Sequence, residues 1–371
     1  MTCMKTAFDP DPRFVDNEDE DDWLFASMKR YKNLHMFDLQ YPVKSLAWVN
    51  SNTICVATRK PVGAEILELN LPEKLLAETR EDEGLCNSRD FHLPSGGLCE
   101  RHIVDVKCIP ESRLVFCSHE ADNSVSVWQL GTDTKDVIQE VKILKNISPN
   151  SDPSLIALHD NHVNKVAFGS TTSNISLSDV ETGENLYNTL GCTNSSRLIG
   201  LDFQKENIIL TCTQQGHFNS FDIREKPPTN SVEIFNPDPK DSCAAMCVKD
   251  DVVAVATRRG KIILKDLRSA GDVCSLDTGL CSGGADVCVQ FSPSQDNVLS
   301  LSGYNQNVNV YNYQQDTICP LFVHDGHWKA DGLSTDVKIW THSWHPEQSH
   351  LVLSSGTDGS LHAWDYVTDV S

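Results

Sequence analysis

The chain has 371 residues, with 31 Lys and Arg against 52 Asp and Glu, for a net charge of −21 with histidine neutral. That balance excludes a nucleic-acid or anionic-membrane binder that works by bulk charge neutralisation. No apolar run approaches the roughly 18 residues of a membrane-spanning helix, and the length exceeds one ordinary core, so a modular architecture is expected.

Residues 1–22 carry eight acids and two bases, six of the acids lying between Asp16 and Asp22. Too little apolar surface is present to offset chain entropy, so a disordered acidic N-terminus is predicted there. The first residues lead into Asp and Pro rather than an apolar segment, so no secretory signal is expected and the protein reads as cytoplasmic. A short helix is predicted over 23–32. Asp21 or Asp22 can cap it, and Leu24, Met28 and Tyr31 recur at helical spacing beside Trp23. It either packs on its own domain or binds a partner from a flexible tether, with Trp23 as an anchor.

From residue 34 the pattern is strand, and it repeats. One run type, apolar–polar–apolar–large, recurs from Val125-Ser126-Val127-Trp128 to Leu361-His362-Ala363-Trp364, with its fourth position at 128, 178, 221, 265, 311 and 364. The separations are 50, 43, 44, 46 and 53 residues. A period near 45 with several strands per unit is the signature of a propeller, whose blades bury their faces only against neighbouring blades. Val43–Trp48, Thr53–Ala57 and Glu65–Leu69 make a further unit that lacks the aromatic and the Asp. The count is seven blades. The last unit ends without an outer strand, and strand 34–39 is expected to supply it and close the ring. The propeller is placed over 23–371.

The last run contains an intact Trp364-Asp365, with Gly326-His327 upstream, while Asp179, Asp222 and Asp266 keep the second half of the dipeptide. With these residues the chain resembles the WD-repeat family. Asp21-Asp22-Trp23-Leu24, Phe37-Asp38-Leu39, Arg89-Asp90-Phe91, Val127-Trp128-Gln129, Pro320-Leu321-Phe322 and Thr341-His342-Ser343-Trp344-His345-Pro346 occur in that order. They are similar to one branch of the family, from residue 21 to residue 366. The resemblance implies a non-enzymatic scaffold of the cytoplasm and mitotic spindle. It also implies a monomeric propeller within a hetero-complex, associated with assembly of the Integrator RNA endonuclease module through subunits 9 and 11.

No chemistry in the sequence competes with that expectation. The 14 cysteines include no Cys-x-x-Cys pair, and Cys55, Cys108, Cys117, Cys212, Cys247 and Cys288 sit inside apolar runs, as reduced packed thiols do. His159/His162, His324/His327 and His342/His345 are each i, i+3 pairs, which point to opposite faces of a strand and do not chelate. No phosphate-binding glycine loop and no Gly-x-Ser-x-Gly elbow is present, and Gly96-Gly97 and Gly283-Gly284 read as turns. No cofactor, metal or catalytic residue is therefore expected, and no direct nucleic-acid or membrane contact. Two partner-binding candidates remain. Asp222-Ile223-Arg224 and Asp266-Leu267-Arg268 repeat in consecutive units. They resemble the Asp-x-Arg motif by which WD-repeat substrate receptors dock on the cullin-4 ligase adaptor, although each Arg can equally pair locally on the surface. The loop from Asp325 to Asp336 offers Trp328 with Lys329 as an interface anchor.

Overall fold

The computed structural model describes residues 23, 25, 27, 29–76, 90–132, 135–159, 164–190, 195–225, 231–232, 241–268, 272–284, 286–314, 317–327 and 337–367. The expected acidic segment 1–22, and Trp328 with Lys329, lie outside them.

Short β-branched runs broken by turn residues give strands and almost no helix. The first strand is β1 (Tyr31–Asp38). Blade 1 is β2 (Val43–Asn50), β3 (Thr53–Arg59), β4 (Ala64–Asn70) and β5 (His92–Cys99), with the one-turn α1 (Glu73–Leu76) before β5. Blade 2 is β6 (Ile103–Cys108), β7 (Leu114–His119), β8 (Asp122–Gln129) and β9 (Gln139–Leu144). Blade 3 is β10 (Leu155–Leu158), β11 (Lys165–Gly169), β12 (Ser176–Asp179) and β13 (Asn185–Asn188). Blade 4 is β14 (Leu198–Lys205), β15 (Ile208–Thr213), β16 (Phe218–Asp222) and β17 (Ser231–Val232). Blade 5 is β18 (Cys243–Lys249), β19 (Val252–Thr257), β20 (Lys261–Asp266) and β21 (Asp272–Asp277). Blade 6 is β22 (Cys288–Phe291), β23 (Val298–Ser302), β24 (Val308–Gln314) and β25 (Thr317–His324). Blade 7 is β26 (Ile339–Trp344), β27 (Leu351–Gly356) and β28 (Ser360–Tyr366). Its fourth strand is β1, which pairs antiparallel with β28, Leu34 opposite Trp364 and Phe37 opposite Leu361.

These seven four-stranded sheets form a seven-bladed propeller. Each innermost strand touches those of the next blades, from β2 through β6, β10, β14, β18 and β22 to β26 and back to β2. The core is a ring of seven apolar clusters, one at each junction between blades. Val49, Ala57, Val115 and Trp128 fill the junction of blades 1 and 2, and Val310, Ile339, Val352 and Trp364 that of blades 6 and 7. Second strands lie between two neighbouring blades and are apolar on both faces, as the fully buried β27 shows. Outer strands such as β9 face water and are mostly exposed.

The sequence period corresponds to a structural register. Trp128, Ser178, Phe221, Lys265, Tyr311 and Trp364 each lie opposite the second residue of their blade's second strand. Leu69, opposite Ile54, occupies that place in blade 1, where the aromatic is absent.

Two local expectations fail. Tyr31 is in strand rather than at the end of a helix. Residues 23, 25, 27, 29 and 30 are helical, but Tyr31 already pairs with Tyr366 and buries its ring edge-on against Phe322. Gly96 and Gly97 are in β5 rather than in a turn, opposite Leu67 and Ile66. The chain of blade 2 crosses there, with Gly96 N donating to Asp136 O at 3.1 Å and Ile138 N to Gly96 O at 2.9 Å. A Cβ on Gly97 would meet Ile138 O at 2.5 Å, so the glycine serves close approach between backbones. Gly283 and Gly284 do sit in a turn, at φ 57° and 91°.

Candidate interaction surface

The Asp-x-Arg repeats occupy one structural position on adjacent blades. Asp222 ends β16 and Asp266 ends β20, each opposite the first residue of its second strand. Each carboxylate accepts the backbone N–H two residues on, at 3.0 Å from Arg224 and 2.9 Å from Arg268, which folds the arginine back over it. Arg224 then donates from Nε at 2.8 Å and from Nη2 at 2.5 Å. Arg268 does the same at 3.0 and 2.8 Å. The fork holds each carboxyl down at about 2. Both arginine side chains stay exposed, at 67% and 70%. The result is two like guanidinium–carboxylate forks at equivalent positions of blades 4 and 5.

Trp23 faces its own chain. Its indole N–H donates to Asp325 at 2.9 Å, and Arg30 reaches the same carboxylate at 3.0 and 3.2 Å. The Arg30 guanidinium lies 5.3 Å from the Phe322 ring centre. The segment thus docks on the junction of blades 6 and 7, and Phe25 is its exposed aromatic.

Three histidines that the sequence spacing sets apart come together. His324 ends β25, and the chain then leaves the strand, so His327 turns back to 5.3 Å between ring centres. His362 stacks on His327 at 3.7 Å and 8°. Among the described residues this is the one group of side chains close enough to share a metal ion. Its geometry suits hydrogen bonds instead. Trp364 donates to Ser354 Oγ at 3.0 Å, and Ser354 lies 2.8 Å from His327 Nε2. His327 Nδ1 lies 2.7 Å from Ser360 Oγ, which donates to Asp358 at 2.6 Å. The Ser360 proton is committed to Asp358, so His327 donates from Nδ1 and accepts at Nε2. His324 lies between the Tyr31 hydroxyl, at 2.8 Å, and His362 Nδ1, at 3.2 Å. Parallel rings keep their nitrogen lone pairs in separate planes, which does not fit tetrahedral convergence. Burial holds all three imidazoles neutral, His362 down at about 4 and the other two well below their ordinary value. His342 and His345 diverge as expected, His342 to Ser300 and Ser302 at 2.7 Å each and His345 to Ser51 O at 2.7 Å.

Lys107 escapes the sequence reading because a lone lysine in a strand carries no signal. It sits exposed on the innermost strand β6. Asp105, and more weakly Asp202 on β14, hold its ammonium above the usual range. The eleven described cysteines are free thiols.

No family model matches the chain. Full-length relatives do. A Danio rerio protein named Integrator complex assembly factor WDR73 is 30% identical over 96% of this chain and 99% of its own length. The chain belongs to the WDR73 family. The Homo sapiens WDR73 is 30% identical over 94% of this chain and 97% of its own length, and the Xenopus laevis WDR73 29% over 92% and 97%. The similarity covers more than nine-tenths of the chain in each case.

Proposed function

We propose that this protein is a non-enzymatic scaffold that assists assembly of the Integrator complex. The observation that carries the reading is similarity along nearly the whole chain to proteins named as Integrator assembly factors, on a seven-bladed propeller. In this reading the partners are Integrator subunits 9 and 11, met in the cytoplasm, with a second association at the mitotic spindle. The acidic ring covers basic surfaces that the nuclease module reserves for RNA, and β1 keeps the ring closed while it does so. Co-expression with subunits 9 and 11 tests this directly: the three should elute together from a sizing column. Separate elution removes the proposed partners.

The equivalent Arg224 and Arg268 forks favour one further reading, a substrate receptor for the cullin-4 adaptor. Its support is a pair of exposed arginines in one register on neighbouring blades. Reversing both charges should abolish adaptor binding if that reading holds.

A further inference from the structure

The seven blades provide an internal standard, and blade 1 departs from it at one buried position. Glu68 lies opposite the third residue of its second strand. The same place holds Val127, Leu177, Ser220, Leu264, Val310 and Ala363 in the other blades. An acidic side chain only 3% exposed thus stands where its siblings carry apolar or small residues. Its partner departs as well. Arg113 immediately precedes the second strand of blade 2, a place held by Asn52, Asn164, Asn207 and Asn297 in four other blades. Arg113 adopts φ 55°, close to the 60° of Asn297. Asn tolerates the left-handed region and Arg does so poorly, so the arginine is kept against a backbone preference.

The two departures meet across the junction of blades 1 and 2. Arg113 Nη2 lies 2.9 and 3.0 Å from the two Glu68 oxygens, and Ser95 donates to Glu68 at 2.5 Å. Arg113 Nε donates to Gly131 O at 3.0 Å. A cleft of about 900 Å³ opens beside this pair. The Glu68 side chain is 4% exposed and that of Arg113 39%, so the pair shows the cleft its cation. Among the described residues of the same walls, Lys135 is exposed, as is one acid, Asp136. A cleft that presents cations is out of keeping with a chain of net charge −21. Buried departures from a repeat mark places where function has overridden packing.

We infer that the cleft between blades 1 and 2 binds a carboxylate-bearing peptide of a protein partner, with Arg113 and Lys135 holding the carboxylate. Glu68 orients the Arg113 fork from behind. The planar pair of carboxylate oxygens matches the Arg113 fork, and the phosphate arm of the test below decides between the two anions. The site is independent of which complex the protein assembles.

The test is fluorescence polarisation with a fluorescein-labelled pentaglutamate peptide and the full chain. Saturable binding is expected despite the like net charge. Lys135→Glu, on an exposed residue, should weaken it about tenfold. Glu68→Leu with Arg113→Asn writes the sibling-blade residues into this junction. It should stay folded, with a thermal midpoint no lower than that of the parent, yet lose binding. Absence of saturation at millimolar peptide, or equal binding by both variants, overturns the proposal. Displacement of the peptide by inorganic phosphate at equal concentration overturns the carboxylate assignment.

Discussion

Five of the six buried histidines among the described residues carry much of the response of this molecule to acid. Burial holds His119 and His362 at about 4 and His342 at about 3, with His324 and His327 well below the ordinary imidazole value. In the unfolded chain each titrates near 6.5. Their folded values are depressed, so the stability they confer is complete above pH 6.5 and is lost as pH falls toward 4. Each imidazole costs about 1.4 kcal/mol at pH 5.5, and five together about 7 kcal/mol, a large part of an ordinary domain's stability. The urea midpoint should therefore fall steeply between pH 6.5 and 5, and His362→Gln should shallow that fall by about a fifth. A midpoint flat across this range would show that the rings reach water. Residue-level chemistry was only partly legible in the sequence. His324 and His327 look divergent at strand spacing and converge because the chain leaves β25 between them. Glu68 and Arg113 carry a signal only once the blades are aligned, and the repeat is faintest in blade 1.

At the scale of elements, β1 carries more than its own pairings. Seven of its residues are in register with β28, and Tyr31 adds a ring contact to Phe322 and a hydroxyl contact to His324. Its removal would expose the edge of blade 7 and unpartner part of the junction between blades 6 and 7. Deleting residues 1–20 should leave the thermal midpoint unchanged. Deleting through residue 39 should lower it by about 10 °C or more, since several kcal/mol translate at about 2–4 °C each in a chain of this size. Equal midpoints would count against β1 as the closing strand. Strand runs and blade number were readable because second strands, buried on both faces, must be continuously apolar. The outer strand of blade 1 was not, because Gly96 and Gly97 look like a turn until a second backbone is seen crossing them.

At the scale of the whole molecule, the net charge of −21 divides into −6 on residues 1–22 and −15 on the rest. If the ring recognises a basic partner through its field, association should slow as ionic strength rises from 50 to 500 mM, with a smaller change in dissociation. The same slope after removal of residues 1–20 would assign the effect to the ring itself. Insensitivity to salt would favour an apolar interface instead. Fold and family were legible at this scale because a period near 45 residues admits few architectures. The binding face was not, because charge in a sequence has no direction until the loops are placed.

The crossing of Ile138 over Gly96 has a mechanical consequence. Some neighbouring blades meet through side chains and single backbone hydrogen bonds, whereas blades 1 and 2 are joined by a short backbone ladder at Gly96 and Ile138, and blades 3 and 4 by one at Thr171 and Arg197. The ring is therefore not equally compliant around its circumference. Any twisting load applied by a bound partner would be absorbed at the less tied joints, while blades 1 and 2, and likewise blades 3 and 4, turn together as stiffer pairs.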